Sequence, residues 1–285
     1  MSTHTLRHVG SLVKFSHTIF ALPFALAAVV LAAPYGQVTA LRVGLIVLCI
    51  AAARTAAMAF NRLVDRDIDA HNPRTAEREI PRGVLSVGFV RALVAGSCLV
   101  FVIGAYLLGP LPLLLSPIAL GLALGYSYVK RFSSLCHLVL GAAIAFAPGG
   151  AWIAVGAPVT LAPWLLVLAV AAWVGGFDIL YSLQDEGFDR EAGLYSIPSR
   201  LGVTGALWVS ALLHVVTLAC LVGVGLVLGR GAGYFAGTAL VGAILVYEHM
   251  IVRPSDLSRI NKAFFDLNGY ISVGFLVCVL IDRGW

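Results

Sequence analysis

Residues 205–228 read GALWVSALLHVVTLACLVGVGLVL, a run of 24 residues that contains no Asp, Glu, Lys or Arg. An α-helix needs about 20 mostly apolar residues to cross the hydrocarbon core of a bilayer. This run is therefore predicted to be a membrane-spanning helix, and it is one of nine such runs in the chain. The nine predicted spans are residues 15–33, 41–60, 88–108, 111–128, 135–155, 162–181, 205–228, 233–252 and 264–281.

The whole chain shares this apolar character. Of its 285 residues, 60% are apolar and only 12% are charged, whereas a soluble domain carries about 25% charged residues. So few charges cannot cover a globule with a polar surface, which excludes a soluble enzyme, a nucleic-acid-binding module and a disordered protein. Several connections between the spans are short, two are longer and polar (about 61–87 and 182–204), and no linker divides the chain into two domains. The prediction is an all-α, polytopic membrane protein with nine transmembrane helices in one bundle, a single domain over residues 1–285.

The basic residues predict the orientation of the bundle. With the N-terminus in the cytoplasm, the outer turns hold only Arg42, Arg230 and Arg283 of the 19 Lys and Arg residues, as the positive-inside rule requires. The first span ends at Ala32-Ala33-Pro34, which mimics a signal-peptide cleavage site, but its length favours an uncleaved helix. The five cysteines include no CxxC pair, so neither a zinc site nor a disulfide framework is predicted. We expect a multi-pass protein of the inner or plasma membrane.

The acidic residues are concentrated in two places. Ten of the 14 lie within residues 65–79 and 178–191, at the ends of the second and sixth spans on the predicted cytoplasmic side. A spacing of four residues, which aligns side chains on one face of a helix, recurs in both windows. It relates Asn61, Asp65 and Asp69 in the first window and Asp185 and Asp189 in the second.

Such oxygen ligands suit Mg²⁺, which proteins hold through one or two carboxylates together with phosphate oxygens and water. Two facing sets of carboxylates would bind and activate a diphosphate, because the metal ions neutralise the charge of the leaving group. Without metal the carboxylates are expected to repel each other. Removal of one acid is therefore not expected to destabilise the fold.

Basic side chains accompany the carboxylates. Arg66 lies within the first motif, directly after Asp65, and Arg74 and Arg78 follow that motif. Lys130 and Arg131 end the fourth span. Each of these residues alone is typical of a topology anchor, but beside so many acids the set favours a diphosphate-binding site, for which Arg66, Lys130 and Arg131 are the candidate ligands.

Two charged residues lie deeper in the predicted membrane. Arg54 stands seven residues before Asn61, and Asp178 stands seven residues before Asp185. A charge inside a membrane helix is costly unless it is paired or faces a wet cavity. One interpretation is a structural ion pair between Arg54 and Asp178. The other is a functional role for Arg54 in binding a second substrate.

The motifs resemble those of the UbiA-type intramembrane aromatic prenyltransferases. The resemblance rests on NxxxDxxxD (Asn61, Asp65, Asp69), DxxxD (Asp185, Asp189) and a tyrosine- and lysine-bearing motif at Tyr126-Ser127-Tyr128-Val129-Lys130-Arg131. It implies a nine-helix bundle around a central cavity, in which Mg²⁺ ions bridge the two aspartate motifs to the diphosphate of a polyprenyl substrate. The five motif residues would then be the catalytic and metal-binding residues. Ionisation would give an allylic cation that an aromatic ring attacks.

Residues 53–61 and 176–181 are similar to the 4-hydroxybenzoate polyprenyltransferase-like branch of that family. This branch includes the candidate prenyltransferase of the futalosine route to menaquinone. Residues 14–23 depart from the pattern common before the first helix of 4-hydroxybenzoate enzymes. The implied acceptor is therefore 1,4-dihydroxy-6-naphthoate or 4-hydroxybenzoate, in menaquinone or ubiquinone biosynthesis.

Under the functional interpretation of Arg54, the predicted acceptor site is made of Arg54, Asp178 and Tyr126. The alternatives to a prenyltransferase are a secondary transporter that uses intramembrane carboxylates and a CDP-alcohol phosphotransferase. Transporters tend to place such charges near the midplane rather than at one end of the helices.

Overall fold

The computed structural model describes residues 18–284, together with Gly10 and Leu12. Regular structure in this part of the chain is helical apart from a single bridge between Arg253 and Asp256. The long helices are α1 (Thr18–Ala32), α2 (Ala40–Val64), α3 (Val87–Leu108), α4 (Pro110–Val129), α5 (Cys136–Ala154), α6 (Leu161–Ser182), α7 (Ile197–Val227), α8 (Ala232–Ile251) and α9 (Asn268–Arg283).

The all-α membrane fold predicted from the sequence is confirmed. Eight helical segments of the described chain are long and apolar enough to cross a bilayer, compared with nine predicted spans. The remaining one, α1, is apolar but has 15 residues, and its predicted span (15–33) begins outside the described residues.

The seventh helix begins earlier than the sequence predicts. It starts at Ile197, whereas the predicted span starts at residue 205. Gly202 lies between the two pieces of this helix with φ 66° and ψ 177°, a conformation that glycine adopts without steric cost. The apolar pattern identified only the piece that follows this break.

The helices pack as neighbours in one bundle. α6 packs between α5 and α7, α2 packs against α3 and α4, and α1 packs against both α5 and α9. Aromatic rings fill the centre of this packing. Phe24 of α1 stacks on Phe275 of α9 with ring centroids 5.2 Å apart and lies 4.9 Å from Trp173 of α6. The first helix thereby packs against both α6 and α9.

The turns after α2, α4 and α6 meet at one end of the bundle, here called the motif end. Lys130, just after α4, contacts Asp65 at the end of α2. The backbone N–H of Tyr195, beyond α6, donates to the Lys130 carbonyl oxygen at 2.7 Å. Polar segments that follow three different helices are therefore brought to one place.

Both aspartate motifs cross a break in their helix. α2 ends at Val64, Asp65 has φ −89° and ψ 2°, and a short helix follows at Arg66–His71. α6 continues through a 3₁₀ turn at Leu183–Asp185 into a short helix at Glu186–Glu191. The α-helix that would align each motif on one face is therefore interrupted, by a bend at Asp65 and by the 3₁₀ turn that ends at Asp185.

Candidate active site

The first motif forms a buried ion-pair cluster with the end of α4. Asp65 is 1% exposed. Its Oδ2 lies 2.7 Å from Lys130 Nζ and accepts a hydrogen bond from Asn61 Nδ2 at 3.0 Å. Its Oδ1 lies 3.0 Å from an Arg131 guanidinium nitrogen, although no hydrogen bond of good geometry is formed there. The expectation of mutual repulsion between acids is thus wrong for Asp65, because cations neutralise its carboxylate.

The last residue of the first motif has its own cation. Asp69 is 4% exposed, and Arg78 Nη1 donates to both of its carboxylate oxygens at 2.7 Å. The Thr75 hydroxyl donates to the Asp69 carbonyl oxygen at 3.1 Å. The loop that follows the first motif is therefore folded back onto it.

The same loop reaches across to the second motif. Asn72 Nδ2 donates to Asp185 Oδ1 at 3.0 Å, and Arg74 Nε donates to the same oxygen at 2.8 Å. A second Arg74 nitrogen donates to Asp185 Oδ2, so the guanidinium binds the carboxylate in a bidentate manner. These contacts join the loop after the first motif to the second motif, more than 100 residues away in sequence.

Arg74 is firmly cationic in this position. Burial by itself lowers the pKa of Arg74, but the hydrogen bond and charge of Asp185 outweigh it, so that the pKa lies above its usual value. Arg74 Nη1 also donates to the Tyr181 hydroxyl at 3.3 Å, and the guanidinium lies 5.4 Å from the centroid of that ring. Tyr181 therefore supports Arg74 from the α6 side.

Asp189 completes the predicted set of carboxylates. It is partly buried on the short helix after Asp185, and its carbonyl oxygen accepts from the Leu194 N–H at 2.8 Å. Its carboxyl lies within electrostatic range of Asp185 and Lys130. Asp189 thus belongs to the same polar region as both motifs.

The predicted basic residues have different surroundings. Lys130 faces the carboxylates directly. Arg131 donates to the carbonyl oxygens of Ser127 at 2.8 Å and Val64 at 3.0 Å, and so ties the end of α4 to the end of α2. Arg66 lies 3.4 Å from Asp67 and lines a separate cavity of about 250 Å³ that also borders Arg131.

Asp178 is paired with a histidine that the sequence did not single out. His137 Nδ1 of α5 lies 2.7 Å from Asp178 Oδ2, and the Ile197 N–H donates to His137 Nε2 at 3.3 Å. Nε2 therefore accepts and Nδ1 donates to the carboxylate. The suggested ion pair between Asp178 and Arg54 is therefore wrong. The partner of Asp178 is His137, at the junction of α5, α6 and α7.

Arg54 lies instead on the wall of the larger cavity. This cavity has a volume of about 370 Å³ and lies between α2, α3, α4, α5 and the first turns of α6. Tyr126 shares its wall with Arg54, and most of the remaining lining is apolar. The cavity extends to Pro163 and Trp164 at the start of α6, away from the motif end. Arg54 is the only charged residue among its described lining, so the cavity is a mostly apolar chamber.

The donors at the motif end fit a hard divalent cation. Asn61 and the four motif carboxylates are oxygen ligands, and the buried Asp65 Oδ1 lacks a hydrogen bond. Among the described residues, however, no three acidic, Cys or His side chains converge into a ready-made metal site. Instead, three of the motif carboxylates form ion pairs with Arg74, Arg78 and Lys130.

Comparison with known proteins identifies the family. The model of the UbiA prenyltransferase family matches residues 21–270. The chain belongs to the UbiA prenyltransferase family. This membership makes it an enzyme of the prenyltransferase class, and it does not support the alternatives of a transporter or a CDP-alcohol phosphotransferase.

Relatives within the UbiA family include the 4-hydroxybenzoate octaprenyltransferases of Aromatoleum aromaticum and Chromohalobacter salexigens. The first is 32% identical over 229 residues, which cover 80% of this chain and 77% of the relative. The second is 33% identical over 214 residues, which cover 75% of this chain and 71% of the relative. The chain therefore spans most of each relative.

Solved UbiA structures share the fold. A UbiA homolog from Aeropyrum pernix is 35% identical, with a TM-score of 0.85 over 93% of this chain and 98% of that one. A UbiA homolog from Archaeoglobus fulgidus, solved with GPP and Mg²⁺, has a TM-score of 0.78 over 98% of this chain and 100% of that one. At 19% identity the second likeness supports the fold alone.

Sequence reasoning about this UbiA protein missed several contacts of the site. It noted Arg74 and Arg78 only as cations after the first motif, and it did not mark Asn72 or His137. Their charge and position in a polar loop gave a weak signal for Arg74 and Arg78. For His137 the sequence carries no signal, because its partner lies 41 residues away on another helix.

Proposed function

We propose that this protein transfers a polyprenyl group from a polyprenyl diphosphate to a small aromatic precursor of a quinone, in a Mg²⁺-dependent reaction within the bilayer. The observation that carries the proposal is the junction of both aspartate motifs, through Asn72, Arg74 and Asp185, at the charged end of the bundle. The apolar cavity of about 370 Å³ is lined by Met58, three residues before Asn61, and by Tyr126, four residues before Lys130, and it suits an isoprenoid chain.

The diphosphate would lie among the residues of the two motifs. Asn61, Asp65, Asp69, Asp185 and Asp189 would hold Mg²⁺. When bound, the metal supplies positive charge that neutralises the departing diphosphate. Lys130 faces the same space and is the best placed of the predicted diphosphate ligands, since its ammonium group already lies 2.7 Å from a motif carboxylate. Arg131 contributes charge while it ties α4 to α2, and Arg66 stays a prediction.

The cations that pair with the motif carboxylates would also bind the diphosphate. Arg74, Arg78 and Lys130 hold carboxylates here. Once those carboxylates take other ligands, the same cations are available to phosphate oxygens. The diphosphate then leaves with the electron pair of its carbon–oxygen bond. The allylic cation is attacked by the aromatic ring, which afterwards loses the proton of the substituted carbon.

The acceptor would lie at the boundary between the charged end and the apolar cavity. Arg54 is about 10 Å below Asn61 along α2, because seven residues rise by 1.5 Å each. Arg54 and Tyr126 line the cavity at this depth. A guanidinium matches the carboxylate that both candidate acceptors carry. Asp178, fixed by His137 at 2.7 Å, would contact an acceptor hydroxyl.

Acceptor profiling tests the proposal and separates its two forms. Purified protein in detergent is incubated with Mg²⁺, geranyl diphosphate and either 4-hydroxybenzoate or 1,4-dihydroxy-6-naphthoate, and prenylated product and free diphosphate are quantified. The names of the relatives favour 4-hydroxybenzoate as the acceptor. The departure of residues 14–23 from the pattern of 4-hydroxybenzoate enzymes favours the naphthoate. Only Thr18 onward of this stretch lies in the continuously described part of the chain. Absence of Mg²⁺-dependent product with both acceptors contradicts the proposal.

The orientation of the site is part of the same proposal. The concentration of Lys and Arg at the motif end supports a cytoplasmic location for the N-terminus and the active site, in the inner or plasma membrane. Reporter fusions after α2 and after α3 test this directly. A cytoplasmic reporter is expected to be active after α2 and inactive after α3.

A further inference from the structure

A second polar cluster lies among α6, α8 and α9, separate from the aspartate motifs. Glu248 and Asn268 are both fully buried at 0% exposure. Asn268 Nδ2 donates to Glu248 Oε1 at 3.1 Å, and Trp173 Nε1 donates to Asn268 Oδ1 at 2.7 Å. Burial of such groups inside a membrane bundle is costly, and the prenyl-transfer scheme above makes no use of them.

Asn268 lies at the end of a distorted turn. Residues Ala263–Leu267, just before α9, form a single turn of π-helix. Asn268 Nδ2 also lies within hydrogen-bonding distance of two carbonyl oxygens of this turn, Ala263 at 3.0 Å and Phe264 at 3.4 Å. A π-turn disturbs the regular ladder of backbone hydrogen bonds, and turns of this kind are frequent at functional sites. The Asn268 amide therefore holds the turn in shape.

The π-turn presents an aromatic platform to the second motif. The Phe264 ring stacks on the Tyr181 ring, with centroids 4.1 Å apart and an interplanar angle of 28°. The hydroxyl of Tyr181 accepts from Arg74, and Arg74 grips Asp185. An unbroken series of contacts thus runs from Asn268 to a carboxylate of the second motif.

We propose that Asn268 is a positioning residue for the diphosphate end of the active site. By fixing the π-turn it keeps Tyr181 in place against Arg74, so that Asp185 has one orientation. This inference rests on the proposed function. Loosening the turn should weaken the use of prenyl diphosphate and Mg²⁺, whereas binding of the acceptor near Arg54 should be unaffected, because Arg54 lies on α2 outside this series of contacts.

The test is steady-state kinetics of Asn268→Leu, which removes the amide while keeping a side chain of similar size. Energetic coupling through such networks is worth about 0.5–2 kcal/mol, or about 2- to 30-fold. We expect the KM for geranyl diphosphate and the Mg²⁺ concentration for half-maximal rate to rise within that range. The acceptor KM should stay within about twofold, the lower edge of that range.

Tyr234→Phe is the matched control for a purely structural role. The Tyr234 hydroxyl is also buried and donates to the Leu221 carbonyl oxygen at 2.8 Å. This hydrogen bond joins α7 to α8 and involves no residue of the two motifs. This variant should lose thermal stability without any change in KM. If Asn268→Leu behaves in the same way, or raises both KM values equally, the positioning role is refuted.

Phe264→Leu keeps the test decisive even if Asn268→Leu does not fold. It leaves the amide in place but removes the stacked ring, so it should reproduce the rise in KM for geranyl diphosphate. Where Asn268→Leu does fold, the double variant with Tyr181→Leu gives a second test: Asn268→Leu should add less than about a twofold effect, because the connecting ring is already gone. An unchanged KM in Phe264→Leu, or full additivity with Tyr181→Leu, overturns the inference. Failure of the proposed function itself would appear separately, as a wild-type protein without Mg²⁺-dependent turnover.

Discussion

The Asp65→Asn variant probes the centre of the site most directly. The wild-type carboxylate is buried and lies 2.7 Å from Lys130 Nζ and 3.0 Å from Arg131. Asparagine keeps the shape of the side chain but removes its charge, which leaves two cations side by side without their shared anion. We therefore expect a loss of stability as well as a loss of activity.

The expected loss of stability follows from these contacts. A hydrogen bond to a charged group is worth about 1.5–3 kcal/mol. Because Lys130 and Arg131 are each 30% exposed, solvent screens part of the interaction, and we expect a loss of about 1–2 kcal/mol. In proteins of 150–250 residues, 1 kcal/mol shifts Tm by about 2–4 °C. Turnover should fall by about 10²–10³-fold, the typical cost of removing one electrostatic group from an active site.

The assay combines thermal unfolding in detergent with Mg²⁺-dependent release of diphosphate from geranyl diphosphate. Asp67→Asn is the matched control, because Asp67 lies in the same window but is 81% exposed and contacts only Arg66, at 3.4 Å, among the ion pairs of the described residues. The control should keep both Tm and turnover. An Asp65→Asn protein with wild-type Tm would refute the ion-pair argument, and one with wild-type turnover would refute the metal-site argument.

Four other outcomes follow from the same geometry. Arg54→Lys should raise the acceptor KM by about tenfold or more while the KM for prenyl diphosphate is unchanged, because Lys cannot form the bidentate contact; a normal acceptor KM would remove Arg54 from the acceptor site. Lys130→Met should raise the KM for geranyl diphosphate more than that for the acceptor, and equal effects would leave Lys130 as a structural residue. His137→Leu should lower Tm, since the buried partner of Asp178 is lost at a cost of about 1–3 kcal/mol, and a stability equal to wild type would show that the pair contributes nothing. Chelation of Mg²⁺ by EDTA should abolish turnover with little change in Tm, because Arg74, Arg78 and Lys130 pair with the motif carboxylates; unfolding on chelation would contradict the stabilising role of those pairs.

Much of the architecture was determined by the sequence alone. The runs of apolar residues predict the membrane helices because a bilayer admits few charged side chains, and this pattern is local. The spacing of Asn61, Asp65 and Asp69, and of Asp185 and Asp189, marks the motifs for a similar reason, since a helical repeat can be read from neighbouring residues. The resemblance to the UbiA family rested on these local patterns, and the comparisons confirm it.

Contacts between distant segments were decided by the tertiary structure. Asn72 and Arg74, in the loop after α2, donate hydrogen bonds to Asp185. Asp178 is paired with His137 and not with Arg54. No local pattern encodes these pairings, because they depend on how α5, α6 and the loop after α2 pack together. The backbone bend at Asp65 is equally invisible in a helical repeat. The sequence therefore determines which groups are available, while packing determines which charges meet, because the cost of burying a charge is relieved only by the partner that the fold brings to it.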